Sequence, residues 1–186
     1  MDYNELLKCR RSVRDYEEKM IPEGMVHEIL REACLAPSAC NKQPWRFIII
    51  EDADLIKRLS DESKSNLLRE IEGDPDGPLK RFEGALKKTD FNVFYNAPCL
   101  VIVVGENNYL NFRDDCSLFT SYFMLGATNK GLATCWIGLG ASIIEKTLRE
   151  EIGLPDGYEV VAPIIVGYPK NIPDASKRQD PIILKD

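Results

Sequence analysis

A single α+β domain is the fold this sequence predicts, and two observations carry it. Segments with apolar residues at helical spacing alternate with short runs of β-branched residues. The intervals between them are too irregular for a repeat or a plain βαβ series. With 186 residues and 44% hydrophobic content, the chain can bury a sizeable core in one domain spanning 1–186, without disulfides or metals.

Each element has its own signal. Tyr3, Leu6 and Leu7 give a short first helix that runs into the basic cluster Arg10, Arg11, Ser12 and Arg14. Pro22 opens a second helix, with Met25, Val26, Ile29, Leu30 and Ala33 on one face and Pro37 as its stop. Arg46 to Ile50 reads as a strand, Ala53 to Lys64 as a helix, and EGDPDGP from Glu72 to Pro78 as a break. The stretch 66–96 lacks a clear period and reads as a mobile cover rather than core. Cys99 to Val104 is almost continuously apolar, the pattern of a strand buried on both faces. Between Phe112 and Lys130 apolar residues spread around much of a helix, which is therefore expected to be central and buried. GLATCWIGLG, a helix from Ile143 to Ile152, a strand from Val160 to Val166 and a turn from Gly167 to Pro169 complete the series.

The charge balance, 24 basic against 30 acidic residues for a net of -6, disfavours general attraction to nucleic acid or anionic lipid. Small molecules or protein are the expected partners. Six cysteines without a C-x-x-C pair, and His27 as the one histidine, give no zinc spacing. His27 reads as a surface residue of a helix rather than a base. MDYNELLKCRRS does not resemble a signal segment, and nowhere do eighteen apolar residues run together. The expectation is a reduced, cytoplasmic protein with no membrane association and with cysteines serving as small hydrophobes.

Three stretches carry candidate chemistry. RRSVR, Arg10 to Arg14, is either a solvated basic turn at a helix end or an anion site, since guanidiniums with a hydroxyl can surround a phosphate. Lys177 and Arg178 form a second basic pair that can close on the same dianion if the termini meet. APSACNKQPW contains common turn formers, yet the Asn41 and Gln43 amides offer donors and acceptors beyond what a chain reversal needs. TCWIGLG places Gly138 and Gly140 among apolar residues, which suits either a tight connection or the close approach of a flat ligand. There is no G-x-G-x-x-G or Walker loop.

Taken in order, RRSVR, APSACNKQPWRF, the N-A-P before CLVIVVG, GLATCWIG, and VGYP with the following Lys-Arg pair resemble the nitroreductase family of FMN-dependent oxidoreductases. The resemblance covers most of the chain. It implies a central mixed, mainly antiparallel sheet flanked by helices, in an intertwined homodimer. It implies that Arg10, Arg11, Ser12 and Arg14 bind the FMN phosphate and flavin edge, with Lys177 and Arg178 closing the phosphate site. Pro37, Ser38, Ala39, Cys40, Asn41 and Gln43 would reach the flavin bound mainly by the other subunit. Cys135, Trp136, Ile137, Gly138 and Leu139 would lie beside the ring. Many relatives carry Gly where this chain has Cys40, and 66–96 matches no family block.

The chemistry implied is ping-pong: NADH or NADPH reduces FMN, then a small electron-poor acceptor such as a quinone or nitroaromatic takes the electrons. No catalytic side chain is needed, because the cofactor carries the hydride. Arg14 and the Gly138 N–H are the groups expected to tune it. A non-catalytic FMN carrier or sensor, and a dimeric interaction scaffold, are the alternatives from other classes.

Overall fold

The computed structural model describes residues 1–185. Four strands form one sheet in the order β1-β2-β4-β3: β1 Trp45–Ile50, β2 Cys99–Glu106, β3 Ala133–Trp136 and β4 Tyr158–Gly167. Every ladder is antiparallel. Among the described residues the parallel element is an isolated bridge between Ser12 and Thr134.

The expectation for β2 holds: it is central and buried along almost its whole length. Its alternate side chains build two cores. Leu100, Ile102 and Val104 join one with α3 (Ala53–Gly73) and α6 (Lys146–Glu151). Cys99, Val101 and Val103 join the other with α2 (Met25–Ala33) and α5 (Phe112–Asn129). Burial pushes the Cys99 and Cys116 thiols up to about 12, so both stay neutral and act as apolar packing.

Several elements differ from the sequence reading, each for a local reason. Helix α1 (Tyr3–Cys9) forms through a capping box between Asp2 and Glu5, and buries none of its own residues. Helix α2 begins at Met25, not Pro22, after Gly24 adopts a left-handed φ of 80°. Helix α6 is shorter than Ile143–Ile152 because the Glu145 side chain caps it, accepting from Thr147 N–H and Leu148 N–H.

Helix α3 runs nine residues past Lys64, to Gly73. Its buried face turns polar at Ser60, Ser63, Lys64 and Asn66 before Leu67 and Ile71 resume the apolar pattern. Ser60 Oγ accepts the Val93 N–H at 2.9 Å, and Lys64 Nζ donates to the Lys88 and Phe91 carbonyls at 2.7 and 2.8 Å. These bonds satisfy an irregular stretch of backbone. The stretch 66–96, read as a cover, therefore contains core: Leu86, Val93 and Phe94 are fully enclosed. It also holds the short helix α4 (Glu83–Leu86), preceded by a 3-10 turn at Pro78–Phe82.

Helix α5 buries only one face in this chain. Phe119, Phe123 and Ala127 lie inward, whereas Leu118 and Tyr122 are each 44% exposed. No helix among the described residues is long and apolar enough to cross a membrane.

Candidate active site

The site begins with a proline. Ile137 follows β3 and lies opposite Pro163 of β4, donating its N–H to the Pro163 carbonyl at 2.8 Å. Pro163 has no N–H to return, so the ladder stops and the chain leaves the sheet as the turn Gly138–Gly140. The two glycines of that turn serve opposite purposes. A Cβ on Gly140 would meet the Phe94 ring at 2.3 Å, so this glycine permits close packing. A Cβ on Gly138 would meet nothing within 4 Å, so this glycine leaves space.

That space belongs to a cavity of about 390 Å3, with Trp136, Ile137, Gly138 and Leu139 on one side and Arg14 and Tyr95 in its lining. The Arg14 guanidinium sits 5.7 Å from the Tyr95 ring centre. Gly138 opens its turn, where its N–H has no partner inside the turn.

The basic segment lies along the free edge of β3. Val13 donates its N–H to the Thr134 carbonyl at 3.1 Å, and Ser12 bridges to Thr134. Extended chain turns alternate side chains to opposite faces, which separates the cluster read as one unit. Burial raises the Cys135 thiol, and Arg14, Ser12 and Arg10 pull it back down. Arg11 turns the other way. Its guanidinium donates to the Arg10 carbonyl at 2.7 Å, and with Cys9, Val13 and Leu132 it lines a different cavity of about 230 Å3.

The loop from Pro37 to Gln43 is held in an unusual shape. Cys40, Asn41 and Gln43 have φ of 50°, 55° and 48°, a region that costs a residue with a Cβ roughly 1–2 kcal/mol. At Cys40 this accounts for a position that glycine suits. Surrounding contacts hold it. Asp115 Oδ1 accepts the Ala39 N–H at 3.0 Å, Tyr109 OH donates to the Ala39 carbonyl at 3.1 Å, Ser38 Oγ accepts the Gln43 N–H at 3.0 Å, and Gln43 Nε2 donates to Asn41 Oδ1 at 2.8 Å. Asp115 is buried, with its other oxygen unpartnered among the described residues. No sequence pattern marked Asp115, a carboxylate inside an otherwise amphipathic helix.

The Nitroreductase family model matches residues 7–168. This chain belongs to the nitroreductase family. It is 28% identical over 181 residues to an Archaeoglobus fulgidus protein named NADH dehydrogenase/NAD(P)H nitroreductase, covering 94% of this chain and 90% of that one. It is 31% identical over 166 residues to an iodotyrosine deiodinase of Thermotoga neapolitana, covering 83% and 87%. A solved nitroreductase with bound FMN from Bacteroides fragilis superposes with a TM-score of 0.84 over 100% of both chains at 23% identity, a likeness of fold.

Within one nitroreductase chain the expected site residues do not all meet. The loop ends at Trp45, opposite Gly105 of β2. The basic segment bridges to Thr134, opposite Val166, which faces Cys99 at the other end of β2. Three inter-strand steps of about 4.8 Å and six residues of about 3.3 Å separate these corners of the sheet, roughly 25 Å in all. Lys177 and Arg178 are exposed in the segment after Pro169, and neither has an ion-pair or hydrogen-bond partner among the described residues.

Proposed function

We propose that this chain is an FMN-dependent oxidoreductase whose two sites are each built by two copies of it. NADH or NADPH is the donor, and electron-poor acceptors such as quinones or nitroaromatics are reduced in ping-pong fashion. The observation that carries the proposal is the cavity: a slot beside bare Gly138, with Arg14 in its lining, at the edge along which Arg10 and Ser12 run. The donor set fits FMN. The cavity's volume lies in the range of small-molecule sites, the Arg10 guanidinium and the Ser12 hydroxyl suit a terminal phosphate, and a turn without a Cβ admits a flat ring.

FMN, when bound, supplies reversible hydride transfer. Arg10 and Ser12 would bind the phosphate. Arg14 is placed to stabilise negative charge in the slot, and the Gly138 N–H is a donor free to reach a ring heteroatom. Trp136, Ile137 and Leu139 exclude water from one side. The Pro78–Phe82 turn, which brings Leu79 and Phe82 to the slot, is the part of the expected cover that shapes acceptor choice.

The roughly 25 Å between the loop's end at Trp45 and the Thr134 edge supports the two-copy arrangement. In a two-fold dimer the loop residues Pro37, Ser38, Ala39, Cys40, Asn41 and Gln43 of one copy reach the slot of the other. Lys177 and Arg178 join the phosphate site in the same assembly. The exposed face of α5, with Leu118 and Tyr122, supplies apolar surface for it.

The purified protein is expected to be yellow, to release FMN on denaturation, and to oxidise NADH or NADPH when menadione is added. Release of mainly FAD, or no flavin uptake on mixing with FMN, would contradict the proposal.

A further inference from the structure

We infer that the cavity selects aromatic acceptors that carry a carboxylate, with Arg81 as the residue that recognises the anion. This rests on the oxidoreductase reading above and names the acceptor class it leaves open.

The charged lining of the cavity is Arg14 and Arg81, with no carboxylate, in a chain whose net charge is -6. Arg14 belongs to the basic edge assigned to the cofactor. Arg81 does not. It comes from the Pro78–Phe82 turn, on the far side of the sequence from that edge.

Its nearest carboxylate in sequence is already engaged. Glu83 accepts from Lys80 Nζ and Lys87 Nζ, each at 2.8 Å, and those two lysines hold its carboxyl down at about 2. Arg81 itself has no ion pair among the described residues. Its guanidinium instead rests 4.6 Å from the Phe82 ring centre. A guanidinium held over a ring keeps N–H donors at its edge, and such a fork can receive a carboxylate with two parallel hydrogen bonds.

Leu79 and Phe82 of the same turn line the cavity with Arg81, and Leu67, Val93 and Tyr95 add further apolar and aromatic lining. An apolar wall beside a cation that the cofactor does not engage fits a flat ring bearing one anionic substituent better than a neutral quinone. The nicotinamide donor also carries anions, its phosphates, and it shares the cavity in a ping-pong cycle. The carboxylated acceptor is favoured because the aromatic wall lies next to Arg81 itself.

The test uses FMN-loaded protein and three chains: the native one, Arg81→Gln, and Lys80→Gln as a neighbour outside the cavity. The kcat/KM for 4-nitrobenzoate is divided by that for its methyl ester, and KM is measured for NADH and NADPH. Calorimetric titration with unreactive benzoate and benzamide adds a readout independent of turnover. The native chain is expected to favour the carboxylate at least tenfold in both measurements. Arg81→Gln is expected to lower that ratio tenfold or more, and Lys80→Gln to change it less than twofold.

An equal loss for carboxylate and ester, an unchanged ratio, the same shift in Lys80→Gln, or a change confined to the donor KM would overturn the assignment. A protein that binds benzoate through Arg81 but turns over no acceptor would keep the anion site and remove the oxidoreductase reading. One that takes up no FMN removes both.

Discussion

Phe119→Ala is expected to cost about 3–5 kcal/mol of stability, the range for removing a fully buried aromatic. Phe119 is 0% exposed and is the hub of a ring cluster, with centroids 5.2 Å from Trp45, 4.6 Å from Phe47 and 6.4 Å from Phe123. It joins α5 to the start of β1, so the truncation leaves a cavity where the Pro37–Gln43 loop enters the sheet. Against a typical total of about 5–15 kcal/mol, this is a large fraction. Urea unfolding at one fixed protein concentration measures it, since the stability of the proposed dimer would depend on concentration. A loss below about 1 kcal/mol would mean that the cluster does not hold β1 to α5.

Gly138→Val has the largest effect expected on binding and little on the fold. The added side chain meets no atom within 4 Å at its Cβ, and Gly138 has no left-handed φ that would strain a substituted residue. Stability should therefore change by less than about 1 kcal/mol. The same side chain projects where the flavin ring is proposed to lie, so FMN affinity should fall at least tenfold. Gly140→Ala is the contrasting variant. Its Cβ would sit 2.3 Å from Phe94, and overpacking of that kind costs about 1–3 kcal/mol. Thermal unfolding without FMN, together with flavin fluorescence titration, separates the two. Undiminished FMN affinity in Gly138→Val would place the ring elsewhere.

What the sequence revealed, and what it hid, has a physical pattern. Strand β2 was legible because burial on both faces demands a continuous apolar run, and Cys99 to Val104 is one. The end of α3 was not legible, because Ser60, Ser63, Lys64 and Asn66 interrupt the apolar face, bonding irregular backbone rather than packing, before it resumes at Leu67 and Ile71. Periodicity of apolar residues cannot register such a face. The same polar face made 66–96 look like an excursion, although Val93 and Phe94 are core.

Motif reading located RRSVR and TCWIGLG, and the structure joins them through the Ser12–Thr134 bridge. It did not separate Arg11 from its neighbours, because alternation along an edge segment appears only once the edge is known. Asp115 was hidden for a related reason: its value lies in accepting the Ala39 N–H from a loop 76 positions away.

The central claim is that each site is shared between two copies, and mixing two defective chains tests it most directly. Asn41→Ala damages the loop, and Arg10→Ala damages the basic edge. Each homodimer should then bind FMN weakly at both sites. In a verified heterodimer, one site combines the intact edge of the first chain with the intact loop of the second, and the other site combines both defects. The account predicts one FMN per heterodimer at native affinity, with half the native NAD(P)H oxidation. No recovery in the heterodimer, or a holoprotein that sediments as a monomer, would contradict it.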